Sequence, residues 1–115
     1  NIRVEQYVPQ SFVLERATAA ISHGGAGTLI GAATTATPQL CLPLAADQWD
    51  NADRLAASGA GLLLEEDERG PDSILRAVER LLRDGSIQTD ANVLRDHFAA
   101  MPHPAELVPK IESLA

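Results

Sequence analysis

A chain of 115 residues with nine Lys and Arg against sixteen Asp and Glu carries a formal net charge of -7. That balance excludes nucleic acid or an anionic membrane surface as a partner held by a general basic field. With 45% apolar residues but only 3% aromatics, the core is expected to be aliphatic, within one domain or part of one.

From the start of the chain, Ile2 to Val8 alternates apolar with polar β-formers and Pro9 closes the run, so 2–8 is expected as a strand with one buried face. Ser11 is placed to cap a short helix over 12–17. Ala19-Ala20-Ile21-Ser22 is a short, nearly all-apolar strand of the kind a parallel sheet covers on both faces. The glycine turn His23-Gly24-Gly25-Ala26-Gly27-Thr28 follows and opens a helix of small residues over about 27–36, which Pro38 ends. Gln39 to Leu42 is the next strand and 43–46 a loop. From Asp47 a helix carries Trp49, Ala52, Leu55 and Ala56 on one face, with Gly59 as its C-terminal cap. Gly61 to Leu64 is a further strand, and the acidic run 65–68 a solvated loop. Pro71 starts a helix striped with Ile74, Leu75, Val78, Leu81 and Leu82, which Gly85 is expected to terminate. Another helix is expected from near Thr89, then a last amphipathic segment over 105–114 that Pro109 should kink or break.

Strands alternating with helices predict an α/β, Rossmann-like fold with a parallel sheet, whose ligands sit beyond the carboxyl ends of the strands. The glycine turn and the Ala46-Asp47-Gln48 loop both follow a strand, so both should open onto one crevice. The turn is no Walker A motif, the nearest lysine being Lys110, and its third glycine is misplaced for a dinucleotide fingerprint. In the plainest reading it is a tight corner with His23 capping a carbonyl. In the functional one, His23, the N–H groups from Ala26 to Thr28 and the Thr28 hydroxyl converge on phosphate oxygens. Asp47 and Gln48 read either as an N-cap with a solvated neighbour or as partners for the vicinal hydroxyls of a sugar. Phosphate and polyol together describe a nucleotide sugar. Cys41 lies in an apolar run and is expected to be a buried, inert thiol; a single cysteine and no visible signal peptide fit the cytoplasm.

The ordered set Tyr7-Val8-Pro9-Gln10, Ile21 to Thr28, Thr37-Pro38-Gln39, Leu42-Pro43, Asp47-Gln48 with Asn51-Ala52, and Gly59-Ala60-Gly61 resembles nucleotide-sugar glycosyltransferases of the GT-B fold. It is most similar to the bacterial macrolide and natural-product group. The resemblance implies that the chain, which begins at Asn1, is the later part of a C-terminal donor-binding domain, spanning 1–115. The acceptor-binding N-terminal domain, which supplies the general base, is expected outside it. His23 and Gly24, Gly25, Ala26, Gly27 and Thr28 would hold the donor diphosphate, Asp47 and Gln48 the donor sugar, and Tyr7 and Val8 the base. Tyr7 stands where many relatives have a stacking Trp. Gly31 stands where relatives often have a ribose-binding Glu, which implies a deoxyribose, as in dTDP-sugars. No catalytic residue is expected here, since His97 and His103 fall on distal helices, and no metal or cofactor.

The full protein would transfer a sugar from dTDP or UDP to a hydroxylated small molecule. The alternative is a noncatalytic or split nucleotide-sugar-binding subunit that needs a separate acceptor-binding chain. A dimer or a helper protein is a further expected partner. In the family two strands lie between segment 2–8 and the strand at 19–22, so the isolated chain is expected to have open sheet edges and poor stability.

Overall fold

A computed structural model describes residues 1–114. The elements in chain order are α1 (Gln10–Leu14), β1 (Ala20–Ser22), α2 (Ala26–Thr34), β2 (Gln39–Cys41), α3 (Gln48–Ala57), β3 (Gly61–Leu63), α4 (Pro71–Arg83), α5 (Gly85–Ala99) and α6 (Pro104–Glu112), with one 3₁₀ turn at Glu66–Glu68. The strands form a parallel sheet in the order β1-β2-β3, and α2 and α3 make the crossovers. Ser22, Cys41 and Leu63 stand in register at its carboxyl edge. The chain therefore leaves all three strands at one level, and the segments that begin at His23 and Leu42 emerge side by side.

Burial follows the sequence pattern. Every residue of β2 is buried, and its side chains alternate between two clusters. Cys41 joins Ala36, Ala52, Leu55, Ala60 and Ala91. Leu40 joins Ala77, Leu81 and Ile87. Both clusters are aliphatic, and the small residues let α2 and α5 pack closely. Cys41 is buried as expected, and burial pushes its thiol above its ordinary pKa, against the pull of a hydrogen bond with Ser22.

Four expectations need correction. Segment 2–8 is not a strand; no ladder reaches it, and Ile2, Val4 and Tyr7 are at least 84% exposed. A strand is made by its neighbour's hydrogen bonds, and β1 is the edge strand of this sheet. Helix α1 begins at Gln10 behind Pro9, so Ser11 lies inside it and caps nothing. Gly85 opens α5 instead of closing α4, because Asp84 serves both helices. The Ser86 hydroxyl and backbone N–H donate to its carboxylate, capping α5 and holding the Asp84 pKa below its usual range. Finally, α6 runs through Pro109 unbroken. All residues from Met101 to Leu114 are exposed, so water can satisfy the carbonyl that proline leaves without a donor. His103 caps that helix, its Nδ1 accepting from the Ala105 N–H at 3.2 Å. The acidic run is exposed as expected, folded into the 3₁₀ turn by reciprocal Glu65 and Glu68 bonds.

Candidate functional site

The glycine turn is built around a left-handed residue. Gly24 has a φ of +82°, and a Cβ there would stand 3.1 Å from the Gln48 carbonyl oxygen and 3.6 Å from Cys41 Sγ. Only glycine lets the backbone bend and approach α3 this closely. Its N–H donates to Ser22 Oγ at 3.1 Å, and its carbonyl accepts from Asn51 Nδ2 at 3.2 Å. The next position is glycine for a different reason. The His23 ring lies across Gly25, where a Cβ would meet Nε2 at 2.6 Å. Among the described residues the ring makes no hydrogen bond, so it caps no carbonyl.

Gly25 then begins α2 with no side-chain cap and no acidic residue in the first turn. The N–H groups of Ala26, Gly27 and Thr28 precede the first intrahelical bond, from Leu29 N to Gly25 O, and the positive end of the helix dipole lies there. Thr28 Oγ1 accepts from Gln10 Nε2 at 2.8 Å, which leaves its own proton free to donate toward the turn. Gln10 thereby ties α1 to the mouth of α2. Sequence reading missed that role, although Gln10 stood in the quoted motif.

Beside this turn stands the loop 43–47. Asp47 precedes α3 in a helical conformation and makes no side-chain cap; its Oδ2 accepts instead from Asn51 Nδ2 at 3.0 Å. The simple N-cap reading of Asp47 is thus corrected. Gln48 Oε1 accepts from the backbone of Leu44 at 2.8 Å and Ala45 at 3.1 Å. Its oxygen is committed to the loop, and its amide N–H₂ is what it can offer a ligand. Asn51 bridges both loops, bonding Gly24 O and Asp47 Oδ2 with the same nitrogen.

Tyr7 and Val8 line a groove of about 580 Å³ with Arg3, Glu5, Phe12 and Val13. A second groove, of about 390 Å³, shares Val8 and Val13 and reaches Gln10 and Thr28. The exposed face of Tyr7 is therefore connected along the surface to the mouth of α2. Val8 shares a groove with Thr28, and Gly24 abuts the Gln48 carbonyl, so each of these segments neighbours the next, whereas His97 lies on α5 and His103 at the start of α6. Among the described residues no group of three or more His, Cys, Asp and Glu gathers as a metal site. No helix among them is long and apolar enough to cross a membrane.

A sequence profile described as "Erythromycin biosynthesis protein CIII-like, C-terminal domain" matches residues 1–114. The chain belongs to this family. Its EryCIII-like sequence is 40% identical over 118 residues to 10-deoxymethynolide desosaminyltransferase of Streptomyces venezuelae, covering 100% of this chain and 27% of that protein. It is 35% identical over 117 residues to erythronolide mycarosyltransferase of Saccharopolyspora erythraea, covering 99% of this chain and 28% of that protein. The chain thus spans little more than a quarter of the relatives it matches. Among solved structures, spinosyn forosaminyltransferase SpnP superposes with a TM-score of 0.92 at 34% identity, over 98% of this chain and 31% of the other. Glycosyltransferase VinC, solved in complex with DTDP, gives 0.92 at 30% identity, over 98% and 29%. The fold is that of the C-terminal part of GT-B glycosyltransferases, as the resemblance implied.

Proposed function

We propose that this EryCIII-like chain is the donor half of a glycosyltransferase that moves a sugar from a nucleoside diphosphate to a hydroxylated small molecule of the macrolide or polyketide kind. The observation that carries the reading is the contact between two loops at one sheet edge. The uncapped start of α2 offers phosphate donors, and the Asp47–Gln48 loop lies against it through Gly24 and Asn51. In this reading the acceptor oxygen attacks the anomeric carbon, inverting it, as the bond to the diphosphate oxygen breaks. Charge then grows on the leaving diphosphate. His23, the N–H groups of Gly25 to Thr28 and the Thr28 hydroxyl stabilise that charge more strongly than they do the ground state. Asp47 accepts from sugar hydroxyls and the Gln48 amide donates to them. Tyr7 stacks on the base, and Val8 offers backbone groups beside it.

The proton of the acceptor goes to a base on an N-terminal acceptor domain that lies outside this chain. The chemistry needs no metal, because helix-dipole and N–H donors replace one. The protein acts in the cytoplasm, with a dimer or a helper protein as a further partner. The relatives carry the matching segment inside a much longer polypeptide, which supports one continuous enzyme over a split subunit.

Gly31 supports dTDP over UDP as the donor nucleotide. A Cβ there would lie 3.3 Å from Leu14 Cδ1 and 3.9 Å from Gln10 Oε1, so no carboxylate reaches out for a ribose 2′-hydroxyl. Calorimetric titration of the intact protein with dTDP and UDP tests both points. dTDP binds more tightly, and His23→Ala weakens it about tenfold, the loss of one charge-assisted contact. Binding of neither nucleotide would end the reading. Equal affinities would end the Gly31 argument alone.

A further inference from the structure

The loop that presents Asp47 and Gln48 does not hold its shape through local preference. Ala46, immediately before Asp47, has a φ of +57°, a left-handed conformation that a residue with a Cβ adopts at a cost. Such a turn persists only where its surroundings over-determine it. Gln48 Oε1 secures it from within by the two bonds to Leu44 and Ala45. A second fastening comes from outside, from Arg69, which follows the 3₁₀ turn beyond β3.

Arg69 Nη2 donates to the Pro43 carbonyl at 2.6 Å, and Nε donates to the Leu64 carbonyl at 3.2 Å. The guanidinium also lies over the Trp49 ring, 5.4 Å from its centroid. Among the described residues it forms no ion pair with a carboxylate. One side chain therefore joins the start of the loop, the end of β3 and the first turn of α3. A planar guanidinium does this where an ammonium does not, since it presents separate donors in fixed directions and a flat face for the indole.

We propose that Arg69 is a positioning residue for donor-sugar recognition. By pinning Pro43 and Trp49 on either side of Asp47 and Gln48, it fixes where those two side chains point, without touching the ligand. This rests on the reading of Asp47 and Gln48 as the sugar-binding pair. Arg69 is then a determinant of how much tighter a nucleotide sugar binds than its bare nucleoside diphosphate. A residue that merely supported the fold would affect both ligands alike.

The test is titration of the intact protein with dTDP and with dTDP-glucose, read as the ratio of the two dissociation constants, for wild type, Arg69→Ala, Arg69→Lys and Asp47→Ala. Arg69→Met, which keeps the stem over Trp49 but no donor, is carried alongside, and thermal unfolding is followed for every variant. Asp47→Ala weakens dTDP-glucose about tenfold and dTDP less than about twofold, leaving the Gln48 contribution to the sugar. Arg69→Ala weakens dTDP-glucose about tenfold and dTDP less than about twofold, as expected for a displaced charge-assisted contact. Arg69→Met follows Arg69→Ala, and Arg69→Lys falls between it and wild type. If the Asp47→Ala ratio drops while the Arg69 ratios stay at the wild-type value, the positioning role is overturned and the sugar site stands. Equal losses for both ligands in the Arg69 variants overturn it too. An unchanged Asp47→Ala ratio sinks the sugar-site reading and this inference with it.

Discussion

The two loops at the carboxyl edge of the sheet are held by opposite means. The glycine turn is fixed by what is missing: no Cβ at Gly24 blocks α3, and none at Gly25 displaces the His23 ring. The N–H groups of Ala26 to Thr28 stay unpaired at the start of α2. The loop 43–47 has no glycine at its left-handed residue and is fixed by what is present, namely Gln48 from inside and Arg69 from outside. A phosphate has the same shape in every donor, and a backbone cradle suits it. Sugars differ in their hydroxyls, and a loop shaped by side chains can be retuned by a single substitution. The difference predicts that the first loop fails when atoms are added and the second when they are removed.

Adding one methyl at Gly24 is the most severe way to break the comparison. Gly24→Ala forces a side chain into a φ of +82° and a contact of 3.1 Å with the Gln48 carbonyl oxygen. Strain and overpacking together cost about 2–3 kcal/mol of stability, read as a lower denaturant midpoint at constant slope. dTDP binding falls by more than about tenfold, because the turn and the start of α2 move together. Wild-type affinity in this variant would show that the turn is not the phosphate cradle.

How much of this was legible in the chain depended on how local each determinant is. The apolar runs that became β1, β2 and β3 carry their own signal, but only β2 is buried throughout: Ile21 of the edge strand β1 is 53% exposed, so the expectation of a strand covered on both faces fails there. The glycine turn was legible because its chemistry lies within a few consecutive residues. Segment 2–8 has a clean strand pattern and forms no strand, since pairing is a property of two segments and only one is here. Asp84 and Gly85 misled because one aspartate ends α4 and caps α5, which a terminator reading of glycine does not anticipate. Arg69 and Asn51 were opaque. Their partners Pro43 and Gly24 lie 26 and 27 residues away, and no periodicity announces a hydrogen bond to a distant carbonyl.

Asn51 is where the two loops are joined, so its loss should blur the comparison. Asn51→Ala removes the Nδ2 bonds to Gly24 O at 3.2 Å and to Asp47 Oδ2 at 3.0 Å. The site is half-buried, and about 1–2 kcal/mol of stability goes with them. Both dTDP and dTDP-glucose weaken by similar factors, in contrast to the selective effect expected of Arg69. Asn51→Asp is worse than Asn51→Ala, because it sets a carboxylate against a carbonyl and against Asp47. A selective loss of dTDP-glucose alone would mean that Asn51 serves only the Asp47 side.

The smallest change, Gln48→Glu, sharpens the distinction between a side chain that shapes the loop and one that reads the ligand. Gln48 would do both with different atoms: its oxygen takes the Leu44 and Ala45 N–H groups, and its amide nitrogen is not used in those bonds. Glutamate keeps the oxygen and strengthens both bonds, and an acid in the first turn of α3 is favoured by the helix dipole. Stability therefore changes by less than about 0.5 kcal/mol. The amide donor is gone, and the new charge repels the donor phosphates, so dTDP weakens somewhat. dTDP-glucose weakens further, and that extra factor measures the lost bond to a sugar hydroxyl. Gln48→Ala gives the converse: the loop loses its inner fastening, the left-handed Ala46 relaxes, and recognition of the sugar fails together with the order of the loop. If Gln48→Glu leaves the ratio of the two affinities at its wild-type value, Gln48 shapes the loop and reads nothing.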